Sequence, residues 1–226
     1  MTFSGVGFKF WGNPENQSLV DAIKVRDTGN FNWTFIFILA VVFYVYWSEL
    51  HKKNYPAVQA GLALYGVHWL YEIMNAIIGK VSGGPLWAVS NQSTTFILLV
   101  GVSWELSMMF SLAGIISFKM MPQDRTKRYF ARGKFKGISC KLVVAIEMAL
   151  LFALFESFLA GTSNGSFLWV YPWWGVIPVF FTTYIPFFLA SNYVPDMKPK
   201  VRNIFLISEW ALVALLLIIL IPLGVI

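Results

Sequence analysis

The chain has 226 residues, of which 58% are hydrophobic and 12% charged. A soluble domain carries about 25% charged residues, so there is room for one bundle of spanning helices and no sizeable soluble domain. The formal charge of +6 is gathered in loops between apolar runs, which points to a membrane surface and away from nucleic acid. A single cysteine, Cys140, excludes an intrachain disulfide.

Residues 1–30 mix charges with Asn13, Pro14 and Asn16 and lack the basic-then-apolar order of a signal peptide. They are read as an N-terminal extramembrane segment. Residues 31–226 are read as an all-α, polytopic transmembrane helix bundle of about six spans: 31–48, 57–79, 94–118, 138–160, 167–190 and 204–226. Each holds about 18–25 residues, enough at about 1.5 Å per residue to cross a hydrocarbon core of about 30 Å. Pro172, Pro178 and Pro186 predict a kinked or broken fifth span. No internal repeat is evident, which counts against an inverted-repeat transporter.

The basic residues are distributed unevenly. Lys52 and Lys53 lie in the first loop of this scheme, Arg125, Lys127, Arg128, Arg132, Lys134 and Lys136 in the third, and Lys198, Lys200 and Arg202 in the fifth. The even-numbered loops are nearly free of them. An excess of Lys and Arg marks cytoplasmic loops, so both termini are expected on the opposite side. The stretch 125–136 is read first as a topology determinant and second as a contact for anionic lipid headgroups. Trp11, Trp33, Trp47, Trp87 and Trp169 near the ends of the spans fit an aromatic belt.

Ionisable groups inside spans cost about 2.5–3.5 kcal/mol on insertion scales and usually have a task. His68 and Glu72 are four residues apart, hence on one helical face, at estimated depths of about 16 and 22 Å from the cytoplasmic end. Glu105 on the next span reaches about 20 Å. These three are the candidate catalytic residues. Glu147 on the fourth span is a further candidate for the central group, whereas Glu156 and Glu209 are assigned to interfacial hydration. Tyr65, Trp69, Trp104, Trp173 and Trp174, with Glu147, are the candidate substrate contacts, because aromatic faces stabilise a developing cation. His-x-x-x-Glu can set two metal ligands on one face, but the chain has two histidines and His51 is in a loop. No metal and no cofactor are expected.

The run Gly66-Val67-His68-Trp69-Leu70-Tyr71-Glu72, followed by Trp104-Glu105, resembles the EXPERA-domain, emopamil-binding-protein family of sterol Δ8–Δ7 isomerases. The resemblance extends over roughly residues 31–190. It implies proton donation to an apolar double bond and proton removal from the resulting cation, with His68, Glu72 and Glu105 at the matching positions. Trp104-Glu105 is also similar to the Trp-Glu pair of small integral-membrane terpene cyclases, which implies the same kind of chemistry.

The leading expectation is therefore a membrane enzyme that isomerises or cyclises a sterol, isoprenoid or similar lipid by acid–base chemistry. A non-catalytic transmembrane subunit or lipid-binding module with partner helices is the alternative, and a proton-coupled carrier is a third. The same residues can also simply knit helices together through hydrogen bonds. Glu72→Gln and Glu105→Gln in purified protein separate the classes. A catalyst keeps its fold and loses turnover, a subunit loses nothing, and a carrier loses proton-linked flux in vesicles.

Overall fold

A computed structural model describes residues 7–30, 33, 35–90, 96–133, 136–161 and 167–226. The chain runs α1 (Asn16–Asp21), α2 (Phe35–His51), α3 (Tyr55–Ser82), β1 (Trp87–Val89), β2 (Ile97–Leu99), β3 (Val102–Ser103) and α4 (Trp104–Met120). It continues with β4 (Arg128–Tyr129), β5 (Ile138–Ser139), α5 (Cys140–Ala160), β6 (Phe167–Trp169), α6 (Val176–Val179), α7 (Ile185–Tyr193) and α8 (Pro199–Leu220). A π turn, Phe180–Tyr184, joins α6 to α7, and a 3-10 turn, Val194–Asp196, follows α7.

The axis of the bundle is α3, which packs against α2, α4, α7 and α8. Pro56 stands in its first turn, where the missing N–H costs no hydrogen bond, and Gly83 stops it at φ 83°. Its 28 residues span about 42 Å, more than a bilayer core requires. Small residues let α4 approach closely: Gly114 of α4 lies against the backbone of Ala60 and Gly61 on α3, and Ile115 lies over Gly61. Lipid offers no hydrophobic drive for helix association, so contact of this kind is what holds helices together there. The Tyr46 hydroxyl of α2 ties into the same seam by donating to the Ser111 carbonyl at 2.8 Å. The largest core cluster joins Leu64 of α3 to Ala145, Met148, Ala149 and Ala153 of α5 and to Val179, Phe187 and Phe188 of the α6–α7 run.

The molecule is mostly helical, but three short antiparallel pairs depart from the all-α expectation: β1 with β6, β2 with β3, and β4 with β5. They also correct two of the expected spans. The expected span 94–118 becomes the β2–β3 hairpin followed by α4, which starts only at Trp104; the expected span 167–190 becomes β6, a turn and the helical run from Val176 to Asp196. The cause is that Ile97–Leu99 and Phe167–Trp169 are short, wholly apolar runs, and such runs look alike as buried strand or helix. Residues 31, 32, 34 and 91–95, which include the starts of two expected spans, lie outside the described residues. Among the described residues, α5, the run Val176–Asp196 and α8 are long and apolar enough to cross a membrane, while α2 is apolar but has 17 residues.

The two ends of the bundle differ. At one end Arg26 donates to the carbonyls of Leu98 and Ile226, both at 2.9 Å, so the amino-terminal segment and the end of α8 meet. At the other, Glu49 in the last turn of α2 accepts from Lys119 of α4 and, at 2.6 Å, from Asn54. Near it lie the basic turns around Arg125 and Arg128.

The α3–α4 seam yields a direct test. A Cβ on Gly114 would press into the backbone of Ala60 and Gly61, which cannot swing aside. Gly114→Ala is expected to cost about 1–3 kcal/mol, read as a lower thermal midpoint in detergent. An unchanged midpoint would refute the close packing.

Candidate functional site

Between the helices lies a cavity walled by α3, α4, α5 and the α6–α7 run. Its enclosed space is about 40 Å³, room for about three water molecules. It measures about 620 Å³ once its open side is counted. Phe110, Phe152, Phe167 and Phe187 supply much of the wall. Met109 of α4 and Phe155 of α5 also line it and are 40% and 47% exposed, so they stand at its mouth on the outer, apolar surface of the bundle. An apolar ligand larger than a few waters has to displace such side chains.

Two glutamates from different helices face this space. Glu72 on α3 is 5% exposed and Glu156 on α5 is 7% exposed. Each is held by a tryptophan indole. Trp87 Nε1 donates to both oxygens of Glu72 at 3.1 and 3.2 Å, and Trp169 Nε1 donates to Glu156 Oε1 at 2.6 Å. The Tyr184 hydroxyl donates to Glu156 Oε2. Trp87 and Trp169 are direct partners across the β1–β6 ribbon, and opposite residues of an antiparallel pair share a face. Both indoles therefore point the same way, into the bundle.

Other contacts fix this ribbon in position. Asn75, fully buried one turn beyond Glu72, donates to the Trp87 carbonyl at 2.9 Å and accepts from Leu86 N at 2.8 Å. Gly101, in the β2–β3 turn, is required: a Cβ there would collide with Glu72 Oε2, Trp87 Nε1 and Asn75 Nδ2. Trp174 stacks on Trp87 with ring centroids 5.7 Å apart. The other face of the ribbon, Ala88 and Leu168, packs on Val20 of α1. The amino-terminal segment is stitched to it as well, through Asn13 N and Asn16 Nδ2 to the Trp169 carbonyl at 3.0 and 2.9 Å.

His68 is 1% exposed and stacks on Phe110 at 4.1 Å. Its Nε2 is 3.5 Å from Glu72 Oε1, within ion-pair range yet outside hydrogen-bond geometry, so neither ring nitrogen has a hydrogen-bond partner. Thr183 Oγ1, at the cavity wall in the π turn, also lacks one. Buried polar groups without partners are costly, and His68 and Thr183 both line the cavity. Among the described residues no group of three or more His, Cys, Asp or Glu could hold a metal ion.

Of the residues expected from sequence, His68 and Glu72 line the cavity. Trp174 braces the ribbon from behind. Tyr65 and Trp69 pack around His68 at 6.2 and 6.4 Å, with the Tyr65 hydroxyl 2.7 Å from Ser107 Oγ. Glu105 is not at mid-span: it occupies the first turn of α4, where an acid suits the positive end of the helix, and it does not line the cavity. Trp104 stacks on Phe35 of α2 at 5.7 Å, Glu147 is exposed on α5, and Trp173 is 58% exposed beside Tyr171. Sequence reasoning missed Glu156 as a cavity residue, together with its partners Trp169 and Tyr184 and the positioning residues Trp87, Asn75 and Gly101. The usable signal was Asn75, which extends the His68–Glu72 face by three residues.

A family model described as an uncharacterized membrane protein family matches residues 16–222. An uncharacterized protein of Archaeoglobus fulgidus is 35% identical over 185 residues, covering 80% of this chain and 84% of the relative. No solved structure matches. These matches support a membrane protein and add nothing to the likeness to sterol isomerases or terpene cyclases.

The ribbon's role can be measured. Trp169→Phe keeps an aromatic ring, though a smaller one, and removes the indole N–H, leaving Glu156 Oε1 unpaired, and is expected to cost at least about 1–3 kcal/mol. Trp173→Phe, on an exposed ring, is the control. Equal thermal midpoints for the two variants would refute the carboxylate–indole pairing.

Proposed function

The chain belongs to this family of membrane proteins, and from that premise we propose that it is an integral-membrane acid–base catalyst acting on an apolar lipid of the sterol or isoprenoid kind. One observation carries the reading: two buried carboxyls from different helices face a single aromatic-walled cavity whose mouth lies on the apolar flank of the bundle. Glu72 and Glu156 take the roles first expected of Glu72 and Glu105. His68, 3.5 Å from Glu72, is the proton-positioning group.

The chemistry balances without a cofactor. A protonated carboxyl gives its proton to one carbon of the substrate's double bond, and the π electrons form the new C–H bond. The cation left on the neighbouring carbon lies against Phe110 and Phe152, whose ring faces favour positive charge. The second carboxylate then takes a proton from an adjacent carbon, and that C–H pair becomes the shifted double bond. One proton has moved from one carboxyl to the other, and its return to the first carboxyl resets the site, with His68 beside Glu72 to position it there. The proposed topology has six spans, with the basic loops cytoplasmic and both termini on the far side.

A lipid-binding module or subunit without chemistry is the second reading. It is favoured by the indole and phenol donors, which already satisfy both carboxyls as structural acceptors. Purified protein reconstituted with an isoprenoid or sterol alkene in heavy water distinguishes the two. A catalyst places deuterium in the lipid, and Glu72→Gln or Glu156→Gln is expected to lower the rate by about 10²–10⁴-fold with the fold retained. Lipid that co-purifies but takes up no deuterium from the wild type would leave only the binding reading. Exchange that survives both substitutions would remove the two carboxyls from the mechanism.

A further inference from the structure

The opposite end of α5 carries a second recess that takes no part in this chemistry. It is about 540 Å³, open to the outside, and bounded by the turn after α4, the β4–β5 pair, the start of α5 and the end of α7. Arg125, Thr126, Arg128, Ser139, Lys141 and Tyr193 line it. We propose that this recess binds a phosphate group, borne by a lipid headgroup or free in solution, at the basic face of the bundle.

Charge is the first argument. Arg125, Arg128 and Lys141 meet a single carboxylate, Asp196, which pairs with Arg125 Nη1 at 3.0 Å and with Lys141 Nζ. Asp124, the residue before Arg125, spends its Oδ1 on the N–H and hydroxyl of Thr126. Lys127 stands outside the recess, over the Tyr129 ring. Among the described residues the recess thus keeps an excess of two positive charges, and no acid in its lining offsets Arg128.

Order is the second. A topology signal requires only charge in a loop, on side chains free to move. Here Arg128 is clamped by the carbonyls of Lys136 at 2.6 Å and Gly137 at 2.7 Å, which orient the guanidinium without neutralising it. The side chains of Arg125 and Lys141 are only 19% and 16% exposed. Arg125 also lies over the Phe118 ring at 4.0 Å, and its Nε is buried without a hydrogen-bond partner. Side chains already held lose little entropy when they take a ligand, and charged N–H donors bond strongly to phosphate oxygens.

Position is the third. The recess opens at the amino end of the 21-residue α5, whose dipole favours an anion, and Ile138, Leu142 and Tyr193 give it an apolar rim at the level where the spanning helices stop. A phosphate with acyl or isoprenyl chains below it matches that combination of charge and apolar edge. The same cations would also take inorganic phosphate.

The test uses the full chain in detergent, with retention of an anionic phospholipid (phosphatidylglycerol) read by native mass spectrometry and inorganic phosphate as the competitor. Arg128→Gln is expected to weaken retention about tenfold, because one charge-assisted hydrogen-bond donor group is lost. Lys127→Gln removes the same charge from outside the recess and is expected to change retention less than twofold. Asp196→Asn, which frees Arg125 and Lys141, is expected to strengthen it. Competition by inorganic phosphate identifies a general phosphate site, whereas retention indifferent to it identifies a headgroup site. Equal losses in Arg128→Gln and Lys127→Gln, or no phosphate and no lipid bound by the wild type, would overturn the proposal. Because the two sites are at opposite ends of α5, either can fail while the other stands.

Discussion

A carboxylate enclosed by helices is costly unless donors meet it, and Glu72 and Glu156 are both met, whereas Glu209 of α8 is buried with neither oxygen hydrogen-bonded. In this chain that requirement organises the whole end of the bundle. Glu72 and Glu156 receive indole N–H groups from Trp87 and Trp169, and for both to do so the two tryptophans must sit on one face of one ribbon. The ribbon in turn demands Asn75 to hold Trp87, a glycine at 101 to make room, and the amino-terminal segment to cover its outer face.

The arrangement has an internal regularity. Glu72 takes its donor from the strand that follows its own helix, fifteen residues on, and Glu156 does the same over thirteen. Two local units, helix then tryptophan strand, meet in antiparallel register. Full-length repeats are absent from the sequence, yet the site is assembled from two copies of one device. Such a layout gives a cavity with an acidic group on two walls while the remaining walls stay apolar. His68 and Thr183, with polar atoms lacking partners, break the symmetry.

The helical bundle was legible from hydropathy because long apolar runs have few other folds. The ends of the spans were not. Ile97–Leu99 and Phe167–Trp169 are as apolar as the helices they precede, and period alone does not tell a three-residue buried strand from a helical turn. That ambiguity moved Glu105 on paper from the first turn of α4 to the middle of a span. It hid Glu156 for a related reason: a carboxyl near the end of a helix reads as hydrated unless the chain beyond it folds back as a cover. His68 and Glu72 were visible because their spacing on one long helix survives any shift in the ends. Trp87 and Trp169 passed for interfacial anchors, since tryptophans at the ends of spans usually are.

The short reach between each glutamate and its indole bears on how the molecule is made. At about 5–20 residues per second, the ribosome delivers Trp87 within about three seconds of Glu72, and Trp169 as soon after Glu156. Each acid can be neutralised or capped by its own unit during insertion, the first of them before the second has been made. Only the final pairing of the strands, Trp87 with Trp169, has to wait for residues far apart in the chain to meet. Biogenesis can therefore proceed by halves, with the cavity closing as its last act.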